Sequence, residues 1–180
     1  METKIFGDKR IIIRELMKKD LSRSKKFQNY INSLIAERAK ILYKTKHTIK
    51  DEKEWLKKKL NEVLRRKLVL LIAEHGDMIV GKTEIGLERE KKDHVGGLGI
   101  SIGKGYRGIG LGKYLTTEVI KLAEKKLKPS PKIIKLEVFV NNKPAINLYK
   151  KLGFKIVARI PKQIQYKGKL IDEFIMLKFL

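Results

Sequence analysis

Residues 98–123, LGISIGKGYRGIGLGKYLTTEVIKLA, read as a strand, a glycine-rich turn and a helix in direct succession. The centre of this stretch, GYRGIGLG at residues 105–112, places four glycines in eight positions. Glycine loses more freedom on folding than any other residue, so such a cluster marks a tight turn, a positive φ, or a ligand lying against bare backbone. The first N–H groups of a helix have no partner within it, and the positive end of its dipole points the same way. An anion settles there when no β-carbon blocks it.

Three phosphate-cradling signatures compete for this turn. The form GxxxxGK[ST] fails, because Arg107 stands where its first glycine belongs and Tyr114 follows Gly112-Lys113. The dinucleotide form GxGxxG matches at Gly103, Gly105 and Gly108, but it expects an early βαβ unit with an acid at the end of the next strand. Here that strand ends at Val140 and is followed by Asn141 and Asn142. The third form is arginine or glutamine, two residues, glycine, any residue, then glycine or alanine. Arg107-Gly108-Ile109-Gly110-Leu111-Gly112 fits it.

Upstream, residues 10–15 predict a strand, and residues 21–40 a helix with Phe27, Ile31, Leu34 and Ile35 at helical spacing. A second helix follows over residues 47–66. Thr48 with Asp51 forms its capping box, and Leu56, Leu60, Val63 and Leu64 form one apolar stripe. Residues 67–89 give two strands turned at His75-Gly76-Asp77. The strand at residues 96–103 is interrupted by glycines, which implies a bulge or a close backbone approach.

Downstream, the helix carries Leu115, Val119, Leu122 and Ala123 inward, and Pro129 and Pro131 end it. A β-branched strand occupies residues 132–140, and a short helix opened by Asn142 and closed by Gly153 comes next. Two last strands form a hairpin around Lys167-Gly168. The pattern is α/β, one sheet covered by helices.

Composition narrows the functional classes. The chain has no cysteine, hence neither disulfide nor thiolate nucleophile, and its three histidines show no metal-site spacing. No metal is expected. The longest apolar run has six residues, against roughly 20 needed to span a bilayer. No secretory signal is visible, so the expected location is cytoplasmic, with no membrane partner. The net charge of +23 fits a nucleic-acid or acidic partner, or a lysine-rich, thermophile-like proteome. The charge is spread along the chain without an aromatic-interleaved basic motif, which favours the second reading.

The stretch from Leu98 to Ala123 resembles the acetyl-CoA motif of the GNAT superfamily of N-acetyltransferases. LEVFVNNKPAINLYKKLGF, residues 136–154, resembles the family's next segment, in which an asparagine is followed seven residues later by tyrosine and then by LGF. The resemblance implies a single acetyltransferase domain over residues 1–180: one mixed, mostly antiparallel twisted sheet of six to seven strands flanked by about four helices. It implies acetyl-CoA as co-substrate and an amine as acceptor, by direct attack on the thioester. By the same resemblance, Ile100, Ser101 and Ile102 contact the acetyl and pantetheine groups, and the backbone of Arg107, Gly108, Ile109, Gly110, Leu111 and Gly112 holds the pyrophosphate. Asn142 gains a cofactor contact beside its capping role.

An alkyl amine has a pKa near 10.4, so at pH 7 under about 0.1% of it is nucleophilic unless a base takes the proton. Tyr149 matches the family's tyrosine, which protonates the departing thiolate; its alternative is a core aromatic. Glu137 lies twelve residues before Tyr149, as in the ribosomal-protein N-terminal acetyltransferase branch, where that glutamate is the base. Facing a partly apolar site, it should have a raised pKa. Its alternative is a sheet glutamate paired with a lysine. His94 is a second base candidate, and Asp172 and Glu173 are candidates to contact the amine. A nucleotide-dependent oxidoreductase and a non-catalytic basic nucleic-acid-binding module stay open as other classes, as do ribosome association and a homodimer.

Overall fold

The apolar run Leu68–Ala73 is buried on both its faces, and the molecule is organised about it. Val69, Leu71 and Ala73 point into one core, while Leu68, Leu70 and Ile72 point into a second on the opposite side of the sheet. A computed structural model describes all of residues 1–180. Its strands are β1 (Glu2–Phe6), β2 (Lys9–Glu15), β3 (Leu68–His75), β4 (Met78–Leu87), β5 (Val95–Ile102), β6 (Ile133–Phe139), β7 (Lys155–Tyr166) and β8 (Lys169–Phe179). The helices are α1 (Ser24–Ala36), α2 (Ile49–Leu64), α3 (Leu111–Lys126) and α4 (Lys143–Lys151), with a short 3-10 segment at Lys18–Arg23 before α1.

One sheet contains all the strands in the order β1-β2-β3-β4-β5-β6-β8-β7. Only β5 and β6 run parallel; every other pair is antiparallel. Helices α1 and α2 cover one face through Phe27, Leu34 and Leu56, and α3 and α4 cover the other through Leu115, Val119 and Ile146. The sheet has eight strands, not six to seven. The addition is β1, an edge strand with almost wholly exposed side chains, which gives the sequence no inward-outward alternation to reveal it.

The capping box at Thr48 forms as the sequence implies: Thr48 Oγ1 accepts from the Asp51 N–H at 3.2 Å, and Asp51 accepts the Thr48 N–H at 2.7 Å. Such a cap contributes about 1 kcal/mol. Leu64, expected in the buried stripe, is 82% exposed, because α2 ends there, beyond the sheet it packs on.

The contact between β5 and β6 is brief. Val95 pairs with Ile133, Gly96 with Ile134 and Gly97 with Lys135, and there the ladder stops. Beyond it, β5 stays with β4 and β6 stays with β8, so the sheet splays open. Gly96 of β5 serves the close approach that precedes this opening. A β-carbon on Gly96 would lie 2.7 Å from Ile85 Cγ2 and 3.1 Å from Ile134 Cδ1, nearer than side chains pack.

Candidate active site

The turn Gly103–Gly110 carries the chain from the end of β5 into α3. Gly105, Gly108 and Gly110 have φ of +83°, +79° and +91°, where other residues are strained. Space around Gly105 and Gly108 is open to 4 Å. From Gly108 to Lys113 no backbone N–H donates to an acceptor in the protein; the first to do so is that of Tyr114, to the Gly110 carbonyl at 3.1 Å. A run of free donors at the start of a sixteen-residue helix is an anion cradle in form. A β-carbon at Gly112 would meet Leu148 Cδ2 of α4 at 3.4 Å, an ordinary contact.

The Arg107 side chain turns away from the cradle. Its Nε donates to the Ile102 carbonyl at 2.8 Å and its guanidinium pairs with Glu37 of the residues following α1. It fastens the turn to the end of β5.

Where β5 and β6 part, a cleft of about 630 Å³ opens between the α1–α2 side and the sheet. Ile100, Ser101, Glu137, Asn142 and Tyr149 all line it, as does Glu173. Ile102 does not; it packs with the core beneath α3. His94 lies outside the cleft, its carbonyl accepting from Lys132 at 2.8 Å at the paired end of β5. Asp172 is also elsewhere, held by Arg159 at 2.6 Å and by the Lys162 N–H at 2.9 Å. Those bonds, the backbone one first, keep its pKa below the ordinary carboxylate range.

Tyr149 is buried, and its hydroxyl donates to no protein group. Burial pushes its pKa up to about 12, so it stays a neutral phenol throughout the physiological range. Asn142 occupies the residue before α4, but its side chain makes no capping bond, contrary to the capping role read from sequence. Pro144 in the first turn removes one N–H that a cap would have served, and the Asn142 side chain is left to the cleft.

Glu137 departs from expectation in its surroundings. Its side chain is 45% exposed and stands 3.5 Å from the Lys135 ammonium, the sheet ion pair that was its alternative reading. The desolvated carboxyl of the cleft is Glu173, only 6% exposed, whose pKa is raised first by burial and then by the charge of Glu137.

Two groups that sequence reading did not single out complete the walls. The Tyr30 hydroxyl of α1 donates to the Ser101 carbonyl at 2.8 Å and lies 2.9 Å from its Oγ, fixing β5 where it leaves β6. Lys82 of β4 lies with its ammonium 3.8 Å from the Trp55 ring centroid. Both contacts join residues distant in sequence, which no local pattern signals.

The acetyltransferase (GNAT) family model matches residues 33–154, spanning α1 through α4 and both motifs. The chain belongs to the GNAT acetyltransferase family. Among curated proteins, it is 31% identical over 103 residues to the L-amino acid N-acetyltransferase AaaT of Escherichia coli. That match covers 57% of this chain and 62% of the relative, so the chain spans about three fifths of the relative's length. Among solved structures, a GNAT acetyltransferase from Streptococcus pneumoniae superposes with a TM-score of 0.81 at 27% identity, covering 94% of this chain and 99% of the other. YncA of Salmonella typhimurium, solved with its cofactor acetyl-CoA, has the same fold: TM-score 0.79, 19% identity, 94% of each chain. No helix is long and apolar enough to cross a membrane.

Proposed function

We propose that this chain transfers the acetyl group of acetyl-CoA to a primary amine by direct attack on the thioester. The observation that carries the reading is the run of unpartnered N–H groups from Gly108 to Lys113, in the turn that directly follows β5, the strand whose parting from β6 opens the cleft of Tyr149, Glu137 and Glu173. YncA, which shares the fold, takes acetyl-CoA as its cofactor, and AaaT is named for N-acetylation; both names support the donor and the reaction.

The residues fit that donor. The backbone of Gly108–Gly112 presents N–H groups to a pyrophosphate, with no β-carbon between them and it at Gly108 or Gly110. Ile100 and Ser101 form the edge of β5 along the cleft, where the N–H groups of an unpaired strand edge polarise a carbonyl. Bound acetyl-CoA supplies an activated acyl carbon. The protein's work is then to move protons. The neutral phenol of Tyr149 gives a proton to the leaving sulfur, and the Glu137–Glu173 pair takes one from the amine, Glu173 being the buried member, whose pKa is raised.

Isothermal calorimetry with acetyl-CoA and with NAD, followed by CoA release on a panel of amines, tests the reading. Acetyl-CoA binding with amine-dependent CoA release is the expected result. Binding of NAD without acetyl-CoA, or nucleic-acid binding with no CoA release, would overturn it.

A further inference from the structure

Four lysines line the cleft, and three of them have partners. Lys40 donates to the Asn141 carbonyl at 2.6 Å, Lys59 pairs with Glu84 at 2.8 Å, and Lys135 pairs with Glu88 at 3.2 Å. Lys82 has neither a carboxylate nor a hydrogen-bond acceptor, only the face of Trp55. The acids closest to it in charge effect are Glu84 and Glu52, and neither bonds to it: Glu84 Oε1 pairs with Lys59 while its Oε2 has no hydrogen-bond partner, and Glu52 pairs with His47 at 2.6 Å. Burial pulls the Lys82 pKa below the ordinary lysine range, outweighing the opposite pull of Glu84 and Glu52.

Its position is specific. Lys82 stands directly opposite Ser101 across the β4–β5 ladder. Opposed residues of an antiparallel pair point to the same face with β-carbons about 5 Å apart. The Lys82 and Ser101 side chains therefore leave the sheet side by side, and both residues line the cleft along the edge that β5 offers to the acetyl group. An ammonium there gains no acceptor from a polyamine or a second lysine, and only a neutral carbonyl from the backbone of a protein N-terminus. A carboxylate is what satisfies it, through a charge-assisted hydrogen bond strengthened by the partly desolvated wall.

Resting on the acetyl-transfer reading above, we propose that Lys82 holds the carboxylate of the acceptor, and that the acceptor is a free α-amino acid. The α-amino acid is the chemistry that fits, because a single carbon separates its amine from its carboxylate, and Lys82 and Ser101 are directly opposed neighbours on one face of the ladder. Trp55 holds the Lys82 side chain over the cleft by a cation–π contact, so the ammonium is in place before the substrate arrives.

The test measures CoA release by the full chain with each L-amino acid and with its decarboxylated amine, for wild type, Lys82→Met and Lys82→Arg. Wild type should favour the amino acid by at least tenfold in kcat/KM. Lys82→Met keeps the stem against Trp55 but loses the charge, and should cut that preference at least tenfold through KM. Lys82→Arg should recover part of it. The acetyl-CoA thermal shift, recorded on each variant, reports that the fold and the donor site are intact. A wild type that prefers the decarboxylated amines overturns the proposal while leaving acetyl transfer standing. So does a Lys82→Met variant that loses turnover on both substrates alike, which would make Lys82 part of the chemistry itself. No CoA release with any amine overturns both readings together.

Discussion

Glu173 lies opposite Phe139 across the β6–β8 ladder, which places it diagonal to Glu137 on the same face of the sheet. The two carboxyls share the cleft, and the charge of Glu137 adds to burial in holding the Glu173 proton. If Glu173 accepts the proton of the amine, log kcat/KM rises with pH through a raised carboxyl pKa. Glu137→Gln removes the negative neighbour and should move that rise to lower pH without abolishing it. Glu173→Gln should abolish it and lower the plateau by roughly ten- to a thousandfold. The measurement is a pH–rate profile of the three proteins on the best acceptor. Loss of the rise in Glu137→Gln instead would return the role of base to Glu137.

The same burial has a thermodynamic consequence. The folded-state pKa of Glu173 lies above its unfolded value, so the native state binds its proton more tightly. Its contribution to stability is fully present below the unfolded pKa and falls as pH rises through the folded one. Glu173→Gln, which never ionises, should therefore have a higher Tm than wild type at pH 7, and the difference should vanish by about pH 4, below the unfolded value near 4.3. Thermal melts at the two pH values decide it. An equal difference at both would mean that packing, not ionisation, sets the effect.

The cradle makes a third expectation, best tested with a matched control. Gly110 and Gly168 both have positive φ, +91° and +75°, so valine at either position carries backbone strain of about 1–3 kcal/mol. Only Gly110 borders the free N–H groups; Gly168 turns the distant β7–β8 hairpin. Acetyl-CoA should raise the Tm of wild type and of Gly168→Val by mass action, and should leave Gly110→Val unmoved. A full shift in Gly110→Val would place the pyrophosphate elsewhere.

These positions also show what was readable in advance. The turn from Gly105 to Gly112 was legible because its signals are local: the glycines, the strand before them and the apolar stripe behind them all fall within one short segment. The strand and helix carrying Glu137 and Tyr149 were legible for the same reason. Glu173 was a weak candidate because its burial comes from β6, some 35 residues away, and alternation along β8 does not report which neighbour desolvates it. Lys82 and Trp55 meet only when α2 is laid across β4, and Tyr30 reaches Ser101 only when α1 docks beside them. The Asn142 cap failed for an opposite reason. A residue type suited to the local task had a second task in the cleft, and Pro144 had already removed one of the donors to be capped.

Tyr149 carries the last expectation. Its ring is fixed in the core by an edge-on contact with Phe154, centroids 5.9 Å apart, so the hydroxyl has little freedom in where it points. With a pKa of about 12 it keeps its proton until a thiolate forms beside it. Tyr149→Phe keeps the ring and its packing and removes one oxygen. It should lower kcat roughly ten- to a thousandfold while changing acetyl-CoA affinity little, the pattern of an interaction made only in the transition state. Because the hydroxyl has no protein partner, its removal leaves no buried group unsatisfied, and the Tm should hold or rise slightly. Calorimetry for affinity, melts for stability and steady-state turnover together separate the cases. Unchanged turnover would make Tyr149 a packing residue, and weakened acetyl-CoA binding with unchanged kcat would make its hydroxyl a donor-site contact.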